Sequence, residues 1–345
     1  MTVTYHAGRR IQGLDADRTG TQLPLGSVGG WVELGRTTLE SAGDTIDVSS
    51  LADKRYYMVL ADCKPSGSIQ PNLRLGNSTI DTDPNYAHRR SVNGGADNTV
   101  TSTNFMQWGK NDPHNQFQVG YIANLSGNEK LFLGHNVTRM AAGATVSPER
   151  VEVVGKWDNT SNPLDIIQCY NNQAGDFASG SELVVLGWDP ADTHTNNFWE
   201  ELGSQTVSGS KFAIDFTAKK YLWVQWVIHN PGAGNSFMRF NDDAGSNYHR
   251  RSSVDGAADS SQRRSEMNMF DPADTIFYNQ FIINNANDEK LVICNICDHN
   301  SAGAENVPIR AEFVWKWANT SDQITRISDY GSATYDGTMK IWGAD

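Results

Sequence analysis

Residues 154–161 read VGKWDNTS, and residues 314–321 read VWKWANTS. The likeness widens from there. NEKL at 128–131 meets DEKL at 288–291 in the same offset, and AGATVSPERVEVVGKW at 142–157 meets AGAENVPIRAEFVWKW at 302–317. Further upstream NYAHRRSVNGGAD at 85–97 meets NYHRRSSVDGAAD at 247–259, and WVELG at 31–35 meets WEELG at 199–203. LVVLGWD at 183–189 answers MKIWGAD at 339–345. A repeat this long is domain-sized, well beyond the roughly 20–50 residues of a solenoid or propeller unit. The chain therefore divides into an N-terminal arm at 1–30, a first repeat at 31–190, a polar joint at 191–198 and a second repeat at 199–345.

Helical periodicity is nearly absent, while short alternating runs bounded by Gly, Asn and Asp recur along both copies. Strands are expected in the first copy at 31–35, 45–48, 55–62, 70–76, 85–92, 116–123, 129–135, 149–156, 164–170 and 182–188, and at matching places in the second. In PERVEVVGKW, alternation puts Arg150, Glu152 and Lys156 on one face and Val151, Val153 and Trp157 on the other. The first face is expected to be wet and the second to be core. Asn-Gly in VNGGAD and Asp-Gly in VDGAAD suit tight hairpin turns. The fold class expected is all-β, with two tandem antiparallel β-sandwich, jelly-roll-like domains behind a short arm.

Composition narrows the function. A net charge of −12 argues against nucleic acid as a partner, because phosphate contacts need a surplus of Lys and Arg. YLWVQWVI at 221–228 is strand-sized, short of the roughly 20 apolar residues of a membrane span, so no membrane partner is expected. Arg9 and Arg10 have no apolar run behind them, and the N-terminus reads as carrying no secretory signal. Four cysteines are too few for a disulfide framework; Cys294 and Cys297 lie three apart on one strand and face opposite ways, which suits buried thiols better than zinc.

Three segments together, MRFNDDAGSNYHRRSS at 238–253, KWANTSDQITRI at 316–327 and GDFASGSELVVLGWD at 175–189, resemble a β-sandwich module of structural proteins from tailed phages and related archaeal viruses. YHAGRRIQG at 5–13 is similar to short N-termini that precede such modules. The resemblance implies a virion component, such as a head decoration, fibre or shell protein, located in the virion and partnered by other virion proteins. It implies no catalytic residue. The first copy departs from it in one turn, where GNSTIDTDPNY at 76–86 replaces NDDAGSNY.

The residues themselves offer little chemistry. Asp81, Asp83, Asp97, Asp242, Asp243, Asp255 and Asp259 sit in expected turns, where Asp commonly bonds its own backbone. DADRTG at 15–20 and IDTDPN at 80–85 carry oxygens that a structural calcium could use, but neither closes an EF-hand loop, so no cofactor is expected. No His pair has metal spacing and no nucleophile elbow occurs. Asn77, Asn124, Asn136, Asn159 and Asn319 head N-x-S/T sequons that read as turn chemistry.

Two residue sets remain as candidates. Arg89 and Arg90, and Arg250 and Arg251, are basic islands in an acidic chain, with one Arg of each pair expected on each strand face. Such forks can bind carboxylates of a neighbouring subunit. With Tyr5, His6, Arg9, Arg10 and Ile11 of the arm they are the assembly candidates in a homo-oligomer. Trp157 and Trp317 recur in both copies and read as core anchors, whereas Trp108, Trp188, Trp223, Trp226, Trp315 and Trp342 are unshared. A residue that only one copy carries is not needed by the common fold, so Trp108, Trp188, Trp223 and Trp226 are the candidates for stacking on a glycan. The expectation is a non-enzymatic virion protein that works by assembly. The alternative is a glycan-binding protein that recognises a host surface polysaccharide.

Overall fold

The computed structural model describes residues 30–190, 192, 197–229, 236–270, 275–299, 304, 306–330 and 334–345. Tyr5, His6, Arg9, Arg10, Ile11 and the DADRTG stretch lie outside the described residues.

The first half contains β1 (Val32–Thr38), β2 (Thr45–Val48), β3 (Tyr56–Cys63), β4 (Pro71–Asn77), β5 (Thr79–Ile80), β6 (Tyr86–Val92), β7 (Asn98–Thr103), β8 (Met106–Gln107), β9 (Gln116–Ala123), β10 (Lys130–Thr138), β11 (Glu149–Trp157), β12 (Ile166–Asn171) and β13 (Glu182–Trp188). The second contains β14 (Glu200–Ser210), β15 (Ala213–Asp215), β16 (Tyr221–His229), β17 (Ser236–Phe240), β18 (Tyr248–Val254), β19 (Ser260–Arg264), β20 (Met267–Phe270), β21 (Thr275–Ile283), β22 (Lys290–Asp298), β23 (Ile309–Trp317), β24 (Arg326–Tyr330) and β25 (Tyr335–Ala344).

Each half is a sandwich of one large and one small sheet. The large sheets run β1-β13-β3-β9-β10-β11-β6-β7 and β14-β25-β16-β21-β22-β23-β18-β19, and the small ones β2-β12-β4-β5, with β8 beside β4, and β15-β24-β17-β20. All the pairings are antiparallel, and the two halves share one topology apart from the two-residue strand β5. This is the all-β, tandem jelly-roll-like sandwich. Even the irregularities repeat, with a bulge between Glu33 and Gly35 in β1 and another between Glu201 and Gly203 in β14.

The repeated letters have repeated jobs. Trp157 and Trp317 are buried, lie nearly parallel to Tyr86 and Tyr248, and donate their indole N–H to Asp81 and Asp243 at 2.7 Å each. Each Asp also accepts from its own turn, Asp81 from Asp83 N and Asp243 from Gly245 N, so both are turn residues that hold a core tryptophan. The longer 76–86 loop keeps this device unchanged and differs only by inserting β5. Asn159 Oδ1 accepts from Ser161 N, and Asn319 Oδ1 from Ser321 N; the NTS letters are turns. Lys130 and Lys290, of NEKL and DEKL, are buried and donate to carbonyls of the hairpin they close, Asn128 and Asp288. Asn93-Gly94 and Asp255-Gly256 all have positive φ, as two-residue hairpin turns of the primed type require.

Among the described residues three apolar clusters hold the chain together. Two are the sandwich interiors, around Trp157 and Trp317. The third lies between the halves, where the outer faces of the two large sheets meet: Met58, Leu60, Phe117, Val119, Val184 and Leu186 pack against Trp199, Tyr221, Trp223, Phe281, Ile293 and Trp342.

This third core corrects the reading of the β11 face as wet. Arg150 is 4% exposed, and its guanidinium reaches across to Asp259 at 2.8 Å while also pairing with Glu152. Burial pulls its pKa down, but Asp259, Glu152 and Glu312 outweigh that and raise it above its ordinary value. On the far side Lys316 is fully buried and donates to the carbonyls of Arg139 and Ala141, whereas its twin Lys156 stays outside with Glu129 at 2.8 Å.

Candidate functional site

The interface leaves part of the first large sheet uncovered. Along that face the register sets Trp188, Tyr56, Ala123, Leu131 and Lys156 in one cross-strand row, and Leu186, Met58, Tyr121, Leu133 and Val154 in the next. Leu131, Leu133, Val154 and Tyr56 are 57%, 47%, 48% and 37% exposed. They form one contiguous apolar surface, of the sort that in a soluble protein marks an interaction site.

At one end the surface deepens into a cavity of about 350 Å³ lined by Trp31, Tyr56, Tyr121, Leu131, Leu133 and Trp188. Trp188 stacks on Tyr56 with ring centres 5.3 Å apart, and Trp31 tilts against Trp188 at 6.3 Å and Tyr121 at 6.4 Å. Trp31 precedes β1 at the sheet edge and reaches over β13 and β9. Burial pushes the Tyr121 hydroxyl well above its usual pKa, leaving it uncharged.

Toward β6 the surface continues into a hollow of about 460 Å³ bordered by Arg89, Thr99, Thr101, Val154 and Lys156. A further hollow of about 270 Å³, bordered by Arg89, Leu133, His135, Glu152 and Glu312, runs to the seam with the second half. Ion pairs stand at the rim: Lys54 pairs with Asp192 at 2.6 Å, Lys156 with Glu129 at 2.8 Å and Arg89 with Asp97 at 3.2 Å.

Of the four tryptophans expected to stack on a ligand, only Trp188 stands at this surface. Trp108 is fully buried, edge-on to Phe132, and Trp226 is fully buried against Phe212 and Tyr278. Trp223 is 8% exposed in the seam between the halves. Trp108, Trp226 and Trp315 are internal because the two cores solve one volume differently. In the first copy a Cβ on Gly120 or Gly134 would strike Phe132 and Trp108, and one on Gly155 would strike Met106. In the second copy Trp315 occupies the register position of Gly155, opposite the arginine-bearing strand, and is fully buried.

The arginines divide between faces. Their register is staggered: Arg89 lies opposite Val154 and Arg251 opposite Val314, so these two are equivalents, while Arg90 and Arg250 point inward. Arg90 Nη1 donates to Gly109 O at 3.4 Å, and Arg250 sits over the Phe313 ring at 5.4 Å; burial lowers the pKa of both. Arg251 donates to Pro148 O at 2.8 Å across the seam. Of the four, only Arg89 is exposed, 58% at the rim. The cross-domain arginine fork is built by Arg150, which the alternation assigned to a solvated face.

Among the described residues no group of His, Cys, Asp and Glu could hold a metal ion, and no helix is long and apolar enough to cross a membrane. No family model matches the chain, and no curated protein matches it. Among solved structures it is similar to the mouse laminin alpha1 chain, domains LG4-5, at 10% identity over 92% of this chain and 90% of that one, with a TM-score of 0.19. The fold assignment here stands on the strand pairing alone.

Proposed function

We propose that the chain is a non-enzymatic structural protein, a virion component as the sequence resemblance implies, that works by subunit assembly through the outer face of its first large sheet. The supporting observation is the uncovered surface of Tyr56, Leu131, Leu133 and Val154. Covering a large apolar side chain is worth roughly 1.5–3 kcal/mol, and these four have about half of that still to gain. A face of this kind on a soluble chain is best accounted for by a partner.

A second reading, glycan binding, draws on the half-buried Trp188–Tyr56 stack. Sugars need hydrogen-bonding groups beside the stacking ring, and the residues around this cavity are aromatic or aliphatic, with Lys54 and Asp192 already paired nearby. Assembly is the better account.

Mass spectrometry and imaging of purified particles test it. The chain should be recovered as a stoichiometric particle protein, and the double substitution Leu131→Asp, Leu133→Asp should reduce its incorporation. Recovery only outside particles, or a glycan-array signal that disappears in Trp188→Ala, would overturn the proposal.

A further inference from the structure

The tandem repeat supplies an internal experiment on what covers this face. Each apolar position of the uncovered face in the first half has an equivalent in the second, in the same two cross-strand rows: Tyr221 for Tyr56, Phe281 for Tyr121, Leu291 for Leu131, Ile293 for Leu133 and Val314 for Val154. All five equivalents are buried, at 0–3% exposure, and what buries them is the apolar outer face of another large sheet of this same chain. Trp199, which precedes β14 as Trp31 precedes β1, lies over Trp223 and Phe281 and is fully covered. Trp31 lies over Tyr121 and Trp188 and is only partly buried.

We infer that the uncovered face of the first half is a homodimer interface, closed by the same face of a second copy of this chain across a two-fold axis. The inference rests on the assembly reading above and names the partner. Three observations select a second copy. First, this face of the repeat already pairs with a sheet of its own kind within the chain, so the surface is continuous with an established interface. Second, the free surface is apolar at its centre and bears both signs at its rim, Lys156 with Glu129 and Arg89 with Asp97. A two-fold copy can therefore match each cation with an acid, and an isologous contact needs only one such patch per chain. Third, the rows of the second half that stay outside the seam cluster, which match Leu60, Val119 and Phe117 of the first half, present Gln225, Asn279, Asn295 and Lys340 beside Val227 and Phe277, so they are a poorer match for an apolar face than the face is for itself.

Sedimentation equilibrium of the full chain at tens of micromolar tests this. The wild type is expected at twice the chain mass of 38.0 kDa, and Leu131→Asp, Leu133→Asp at the single mass with an unchanged far-UV spectrum. Phe277→Asp, on the second half, should remain dimeric. A chain lacking residues 1–29 should remain dimeric too. If that truncation dimerises while the full chain is monomeric, the arm covers the face and the inference fails. If Phe277→Asp dissociates the dimer and the Leu131, Leu133 double variant does not, the contact lies elsewhere and the inference fails. A wild type that stays monomeric throughout also overturns it. In that case loss of particle incorporation by the double variant would still support assembly on a different protein, and unchanged incorporation would remove both readings.

Discussion

Leu131, Leu133 and Val154 in the first half and Leu291, Ile293 and Val314 in the second sit at matching places on matching sheets, yet the first three are about half exposed and the second three nearly sealed. The intrinsic properties of the strands cannot explain that difference, because the side chains are nearly the same. Tertiary context explains it: one face has a sheet above it and the other does not. The lesson is that a tandem repeat can carry one surface twice and use it once inside the chain.

Paired substitutions put the comparison under the most strain. Measured at a concentration low enough to keep the chain monomeric, Val314→Asp places a carboxylate in the closed seam and should destabilise the chain by about 4 kcal/mol or more, whereas Val154→Asp on the open face should stay within about 0.5 kcal/mol of wild type. Chemical denaturation of both variants measures the contrast; equal losses would show that the first face is also closed in the isolated chain.

Arg150→Ala comes next. It strands Asp259, Glu152 and Glu312 beside one another in the seam, and breaking a buried ion cluster from one side costs about 3–5 kcal/mol. Its repeat equivalent Arg310 is 67% exposed beside Glu312, so Arg310→Ala should cost under about 1 kcal/mol. The two melting curves should separate clearly.

A pH titration sharpens the picture further. Burial holds His88, His135 and His249 below the ordinary histidine pKa, and His135 and His249 lie at or beside the seam. The folded chain keeps these rings neutral while the unfolded chain takes up protons near pH 6.5, so stability should fall as pH drops below about 6.5. Asp81, Asp243 and Glu182, whose carboxyls are held below the usual range, contribute stability above about pH 4 that is lost on further acidification. Melting temperatures at pH 7.5, 5.5 and 3.5 should therefore decline in two stages; a flat profile between the first two would contradict the burial of the histidines.

The smallest contrast within a pair of substitutions is the one that involves Trp188→Ala. Half-buried on Tyr56, this ring should contribute about 1–2 kcal/mol, against about 3–5 kcal/mol for Trp223→Ala in the seam. A Trp188 loss as large as that of Trp223 would mean that the open cavity is closed in solution.

Most of the architecture was legible because the chain states it twice. Repeated Asp, Asn, Tyr and Trp positions fix turns and core anchors, and alternation fixes strand faces, as in β6 and β11. The strands missed were β5, β7 and β8. Two of these are only two residues long, and β7, NTVTST, is polar and largely exposed, so no alternation marks it. The seam was missed for a different reason. Alternation separates inner from outer faces but does not say what an outer face meets, and so Arg150 was assigned to water and Trp223 to a ligand. One signal was available: YYMVLADC in β3 and YLWVQWVI in β16 are apolar on both faces, which in an antiparallel sheet means that both faces are covered. The site itself was legible only in Trp188, because Leu131, Leu133 and Val154 read as ordinary strand residues.

The third core also sets a timetable for synthesis. Its two walls come from successive halves of the chain, one ending at Leu186 and the other beginning at Trp199. Translation at about 5–20 residues per second needs on the order of 8–30 s to add residues 191–345 after the first wall is complete. During that interval Met58, Leu60, Phe117 and Val119 wait on the ribosome without their cover, beside the face that stays open in the finished chain. The nascent first half is thus a stickier object than the mature protein, and crowded polysomes making it are where premature pairing between neighbours would begin.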